Sequence, residues 1–238
     1  MMVQSAVGMP PPGTVDVMFG GVPAPLGPKG VPSAIRKSAL PGESWSISAT
    51  GLVDDRQADL TVHGGPDKAI HHYPFDHYAL WGADLPQPAP ALERVPAFGE
   101  NISTVGITEA NVCIGDVFRL GAVTLQVSQG RQPCWKLNAL FGIDDMAVRV
   151  QKTGRTGWYY RVLETGAVRK GDVLTLIERP QPTWSLARIG QLLYTRTTAF
   201  DELAQLAEVP ELANGWRKLA QRRVATRSVE SWDARLGK

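Results

Sequence analysis

The chain has 238 residues, 43% hydrophobic and 20% charged, a balance that builds a core and excludes the disordered and fibrous classes. Its formal net charge of +2, from 25 Lys and Arg against 23 Asp and Glu, excludes the global field that drives bulk binding to nucleic acid or membrane. Two cysteines, Cys113 and Cys134, make neither a disulfide framework nor a four-thiolate zinc site; with no run near the ~18 apolar residues of a membrane span and no secretory-type leader, the expected location is the cytoplasm.

With 24 glycines and 18 prolines, the chain predicts many turns and short elements in a strand-rich body. Residues 1–32 read as a Pro/Gly-rich segment around one strand at 14–19, followed by short strands at 34–39, 45–49 and 58–62. A helix is predicted at 74–83, where Pro74 suits a first turn. The clearest strand is 123–128, whose alternation puts Val123, Leu125 and Val127 on one face and predicts a half-buried strand. A second helix is predicted at 144–152, where Asp144 and Asp145 complement the N-terminal dipole. Apolar and β-branched runs at 158–163 and 173–177 close the sheet, and the repeated short strands suggest a barrel over 33–182. Over 183–238 Leu186, Ile189, Leu192 and Leu193 recur at helical spacing, and Thr198 is placed to cap a helix through Leu206. With Trp216, Leu219 and Arg223 this gives three or four short helices.

Chemistry is concentrated in a few segments. Ser128-Gln129-Gly130-Arg131-Gln132-Pro133-Cys134-Trp135-Lys136-Leu137-Asn138 leaves the best strand and delivers Cys134 between Arg131 and Lys136, cations that favour thiolate; a small buried hydrophobe is the other reading of a lone cysteine. All four histidines fall between His63 and His77. As a metal site, His63, His72 and His77 with Asp67 would supply imidazole and carboxylate ligands, but no H-E-x-x-H is present and adjacent His71 and His72 point apart in any regular element. Gly64-Gly65 instead suits close backbone approach to something bulky or anionic. The loops at 98–104 and 152–157 are dense in hydrogen-bond donors around glycine, yet neither matches a nucleotide-binding loop. Ser33, Ile35 and Lys37 share one strand face, either solvent-facing or pocket-facing. Residues 184–238 carry nine basic residues against six acidic ones, which admits a DNA or protein interaction module, but a solvated helical surface explains the same charges and direct nucleic-acid binding is not expected.

Together, His63-Gly64-Gly65-Pro66-Asp67-Lys68-Ala69, His72-Tyr73-Pro74, His77-Tyr78, Phe98-Gly99-Glu100-Asn101, Ile114-Gly115-Asp116, Gln126-Val127-Ser128-Gln129 and Cys134-Trp135-Lys136-Leu137-Asn138 resemble the YiiM-type MOSC-domain proteins, from about Ser33 to the C-terminus. The Thr153–Trp158 segment and the helical tail fit the same pattern, whereas the Pro-rich N-terminus is longer than the family needs and Cys113 matches no motif.

The resemblance implies a mainly β chain: a MOSC-type β-barrel with a few crossover helices, then a small C-terminal three-helix domain. It implies molybdenum cofactor, a Mo-pyranopterin with a dithiolene and a phosphate, and reduction of N-hydroxylated compounds (hydroxylaminopurine-type bases, hydroxylamines, amidoximes) to the amines. On the same basis Cys134 is the expected protein ligand to molybdenum, a soft centre suited to thiolate. Ser33 and Lys37 are expected near the pterin. Asp59, His63, Gly64, Gly65 and Asp67 are expected to line the pocket, with Asn101, Ser103 and Thr104 donating to pterin or phosphate. Arg131, Lys136 and Asn138 flank the ligand, and Arg155 adds positive charge. His63 or His72 is the expected proton donor, since imidazole titrates near neutral pH. The chain carries no flavin, haem or iron–sulfur signature, so electrons are expected from a separate, flavin-type reductase. The alternative within the fold is a sulfur carrier or thiol nucleophile acting through Cys134.

Overall fold

Short β-prone runs divided by glycine and proline form thirteen strands in the computed structural model, which describes residues 6–58, 64–86 and 88–237. In chain order these are β1 (Gly13–Val15), β2 (Phe19–Gly20), β3 (Ala24–Leu26), β4 (Val31–Ser33), β5 (Ser38–Ala39), β6 (Ser44–Ser48), β7 (Gly51–Leu52), β8 (Ile70–His72), β9 (Val117–Leu120), β10 (Val123–Gly130), β11 (Trp158–Glu164), β12 (Gly166–Arg169) and β13 (Asp172–Glu178). An antiparallel six-stranded sheet of order β1-β13-β9-β10-β11-β8 curls into half a barrel. A three-stranded sheet, β12-β6-β7, sends Trp45, Ile47 and Val168 into the same core as Leu125 and Val127. Helices α1 (Asp76–Asp84), α2 (Lys136–Phe141) and α3 (Met146–Thr153) lie between strands, and α4 (Leu186–Tyr194), α5 (Phe200–Ala207), α6 (Asn214–Thr226) and α7 (Asp233–Leu236) form the tail. No helix among the described residues is long and apolar enough to cross a membrane.

Several local expectations change. The strand predicted at 14–19 is two: β1 pairs with β13 at the sheet edge, while β2 pairs with β5. Of 34–39 only Ser38–Ala39 is strand; the preceding residues run without regular pairing. The strand at 123–128 is more buried than expected: on its polar face Thr124 and Ser128 are buried and Gln126 partly so, their side chains bonded to Glu164, the Asp67 carbonyl and Arg161. A side chain at Gly130 would bring a Cβ to 2.9 Å from the Trp216 ring. The six-residue α2 is too short to show a periodic pattern. In the tail Ser185, not Thr198, is the side-chain cap, accepting the Arg188 N–H at 3.1 Å; α5 begins after Ala199, with no side-chain cap.

Leu186, Ile189, Leu192, Leu203, Leu206 and Trp216 join Val123, Leu125, Val127 and Trp158 in one continuous apolar core. The tail is therefore bound by burial, at roughly 25 cal/mol per Å² of apolar surface removed from water. A second, aromatic cluster centres on Tyr73 and Phe98, stacked at 4.0 Å, with Trp81 Nε1 donating to the Tyr73 hydroxyl at 2.6 Å.

Candidate functional site

The site is built where β10 ends. Register shifts against β11 at Thr124/Leu125 and Val127/Gln129 bend the strand, a device common beside functional sites. Ser128, bulged out at the second shift, donates its hydroxyl to the Asp67 carbonyl at 2.6 Å and accepts the Ala213 N–H at 2.9 Å. Past Gly130 the chain leaves the sheet, and the Arg131 N–H donates to the Gly157 carbonyl at 2.9 Å. Gly157 has φ +67°, and a Cβ there would stand 2.4 Å from the His72 carbonyl, so glycine alone fits.

This geometry opens a cleft beside the end of the strand. Its walls are the end of β4 and the following segment (Ser33, Lys37), the Asp55–Ala58 loop, Lys68, His71, the Phe98–Asn101 turn, the Arg131–Lys136 segment and Tyr159. Among the described residues the lining cations are Lys37, Arg56, Lys68, Arg131 and Lys136, against one carboxylate, Asp55. Asp55 pairs with Lys37 and also accepts the Gly21 N–H at 2.9 Å and Asn101 Nδ2 at 2.8 Å. Burial lowers the Lys37 pKa, opposed by Asp55 and Glu100. The remaining cations give the cleft a positive field suited to an anion.

Three buried polar atoms on residues that line the cleft have no protein partner: Arg131 Nη1, His71 Nε2 and Gln57 Oε1. Buried polar groups are normally paired, so a cation donor, a ring nitrogen and an amide oxygen left unbonded on the residues around one space are bonding capacity that a ligand there can use. Burial first, then the Arg131 charge, hold the His71 pKa well below the usual imidazole value, so its ring is neutral. Tyr159 lies against that ring at 4.9 Å, its phenol pKa raised by burial. The Cys134 thiol, half-buried, stands on the same wall. Cys113 is fully buried, and desolvation with the nearby Asp116 pushes its pKa up to about 12, which leaves it inert.

The structure brings Ser33, Lys37, Asn101, Arg131, Lys136 and Cys134 together at the cleft. Asn101 spends its amide on the frame, accepting the His71 N–H at 2.9 Å and donating to Phe19 and Asp55, which leaves it no donor for a ligand. The other predicted residues serve elsewhere. His72 is fully buried, its ring nitrogens bonded to Tyr160 at 3.0 Å and Thr104 at 2.9 Å, and burial lowers its pKa to about 3, so it is a core node and not a proton donor. Ser103 donates to the Tyr73 carbonyl, and Asn138 links Leu236 to Ala147. Arg155 pairs with Asp84 and covers Trp81; Asp67 pairs with Arg161. Gly64 and Gly65 are not among the lining residues; they lead into a short turn at Pro66–Lys68, of which Lys68 alone lines the cleft. Asp59, His63 and most of the strand expected at 58–62 lie outside the described residues. His77 bonds Glu109 at 2.7 Å, and no group of three His, Cys, Asp or Glu among the described residues forms a metal site, so His72, His77 and Asp67, the described members of the His63–His72–His77–Asp67 alternative, are not assembled into one.

Sequence reasoning missed Asp55, Gln57, Lys68, His71 and Tyr159. A signal for His71 existed: if Ile70 faces the core, strand alternation sends His72 there too and His71 to the opposite side. Because both rings are neutral when folded and charge near pH 6.5 when unfolded, they contribute stability that is complete above about pH 6.5 and is lost as pH falls toward 3. His72→Gln is expected to lower Tm at pH 7 yet flatten its decline between pH 6.5 and 4; an unchanged slope by calorimetry would remove His72 from this account.

The MOSC domain family matches residues 59–175, and the YiiM-like 3-alpha helix domain matches residues 184–227. Protein YiiM of Escherichia coli is 40% identical over 222 residues, 93% of this chain and 97% of that one. The crystal structure of E. coli YiiM superposes with a TM-score of 0.80 and 33% identity, covering 95% of this chain and 99% of that one. A protein of Gibberella moniliformis named "Reductase" is 41% identical over 189 residues, 74% of this chain but 33% of its own length.

Proposed function

The chain belongs to the YiiM family of MOSC-domain proteins, and on that premise we propose that it is a molybdenum cofactor-dependent oxidoreductase that reduces N-hydroxylated compounds to amines in the cytoplasm. The observation that carries this reading is the trio of unpartnered buried atoms, Arg131 Nη1, His71 Nε2 and Gln57 Oε1, on residues lining the cleft that also presents Cys134. The set fits a pyranopterin: cations for its phosphate, ring and amide groups for its heterocycle, and a thiol for a soft metal. The relative named as a reductase supports the same class of activity.

When bound, the cofactor supplies the two-electron chemistry that converts N–OH to N–H and water. The protein's part is positioning. Arg131 and Lys136 hold negative charge, Gln57 and His71 orient the heterocycle, Tyr159 closes the wall behind them, and Cys134 is the ligand. The neutral His71 ring orients and does not protonate, which leaves His63, of the two expected donors, as the proton source for the departing oxygen. Electrons come from a separate flavin-type reductase.

Elemental analysis of protein from a cofactor-competent host tests this. Wild type is expected to carry stoichiometric molybdenum and reduce an N-hydroxylated base, and Cys134→Ser to lose both. Molybdenum-free wild type from a host that loads other molybdoenzymes would sink the proposal, and a persulfide on Cys134 in that protein would favour the sulfur-carrier reading.

A further inference from the structure

We propose that the C-terminal turn is a positioning element for Cys134, with Arg235 the residue that fixes the loop carrying the thiol; this rests on the reading of Cys134 as the reactive group of the cleft. The turn, α7, lies beyond the region matched by the three-helix family. It is moored to the tail by Arg223, fully buried on α6, whose Nε and Nη2 donate to Glu230 at 2.9 and 2.6 Å and whose Nη1 donates to the Leu193 carbonyl at 2.8 Å. Trp232 Nε1 donates to the same carboxylate at 2.9 Å.

From that mooring Arg235 reaches the cleft loop and holds it on both sides of the cysteine. Its Nη1 donates to the Pro133 carbonyl, one residue before Cys134, and its own carbonyl accepts the Trp135 N–H at 2.8 Å, one residue after. Its Nη2 donates to Gln151 of α3 at 2.6 Å, which sets the guanidinium plane. The loop from Arg131 to Cys134 has no regular structure, and Pro133 has no N–H to give, so its restraints are few. The Arg131 bond to Gly157 ties one end to the sheet, and the two Arg235 bonds tie the other. Backbone with so few bonds opens locally once they are removed.

The test is iodoacetamide alkylation of cofactor-free, full-length protein, followed separately at each cysteine by peptide mass spectrometry. Fully buried Cys113 reports opening of the whole fold, and Cys134 reports the loop. Arg235→Ala is expected to raise the Cys134 rate about tenfold, the effect of losing one charge-assisted hydrogen bond, with Cys113 unchanged. Arg235→Lys is expected to restore part of the protection, since an ammonium reaches the Pro133 carbonyl but cannot also hold Gln151. If Arg235→Ala does not fold, Glu230→Gln loosens the mooring without touching the loop and gives the same comparison. Equal acceleration of both cysteines would reduce the turn to general stabilisation, and an unchanged Cys134 rate in a folded variant would overturn the proposal outright. Neither rate involves molybdenum, so a wild type that binds none would defeat the proposed function and leave this result standing.

Discussion

Arg131→Met is expected to raise the stability of the cofactor-free protein while abolishing cofactor retention. Arg131 is 5% exposed, and its Nη1 has no protein partner, so the folded chain holds a desolvated cation that is incompletely bonded. An unsatisfied buried polar group costs about 1–3 kcal/mol, which an apolar side chain of similar length removes, and in a chain of this size each kcal/mol is about 2–4 °C of Tm. A ligand phosphate or oxo group would have offset that cost, and removing one partner of a buried charged hydrogen bond weakens binding by about 2–5 kcal/mol, roughly 30-fold to several thousand-fold. Thermal unfolding of cofactor-free protein and the molybdenum-to-protein ratio after gel filtration measure the two effects. Opposite signs identify a residue kept for function at the expense of stability. If both quantities fall, Arg131 is a structural residue that faces Tyr159 and the cleft only incidentally.

Legibility in the sequence follows how local each signal is. The strand 123–128 was readable from its alternation, but not the burial of its polar face, because the groups that meet Thr124 and Ser128, Glu164 and the Asp67 carbonyl, come from segments 40 and 61 positions away. Cys134 was readable as a wall of the site because the strand before it, the glycine, the proline and the flanking cations are contiguous. Asp55 was not, since its role depends on Lys37 and Asn101 arriving from two other segments. His72 was chosen over His71 on chemistry alone, although strand parity decides between them. Asn101 was expected as a donor to the ligand, yet its amide is fully used by His71, Phe19 and Asp55. For His72 and Asn101 the residue type gave the expectation, and bonds to partners from distant segments decided the task.

The buried pair Arg179–Asp116 is where the largest loss of stability is expected. Asp116 has no exposed surface and accepts two bonds from Arg179, Nε at 2.8 Å and Nη2 at 2.7 Å, together with the Cys113 N–H at 2.8 Å. Arg179 also donates to the carbonyls of Val7, Gly8 and Asn111, so one guanidinium ties the N-terminal segment to the turn before β9 and the end of β13. Breaking one partner of such a pair costs about 3–5 kcal/mol, on the order of 6–20 °C in Tm at this size. The two halves should fail differently with pH. Asp116→Ala strands a guanidinium that cannot give up its proton, so its loss is expected not to shrink between pH 7 and pH 4.5. Arg179→Met strands a carboxyl whose pKa burial already raises; without the arginine it rises further, and protonation as pH falls removes the uncompensated charge. The gap between wild type and Arg179→Met should therefore narrow toward pH 4.5, while that of Asp116→Ala does not. Parallel, pH-independent losses in calorimetry would mean that the carbonyl contacts of Arg179, rather than its charge pairing, hold this junction together.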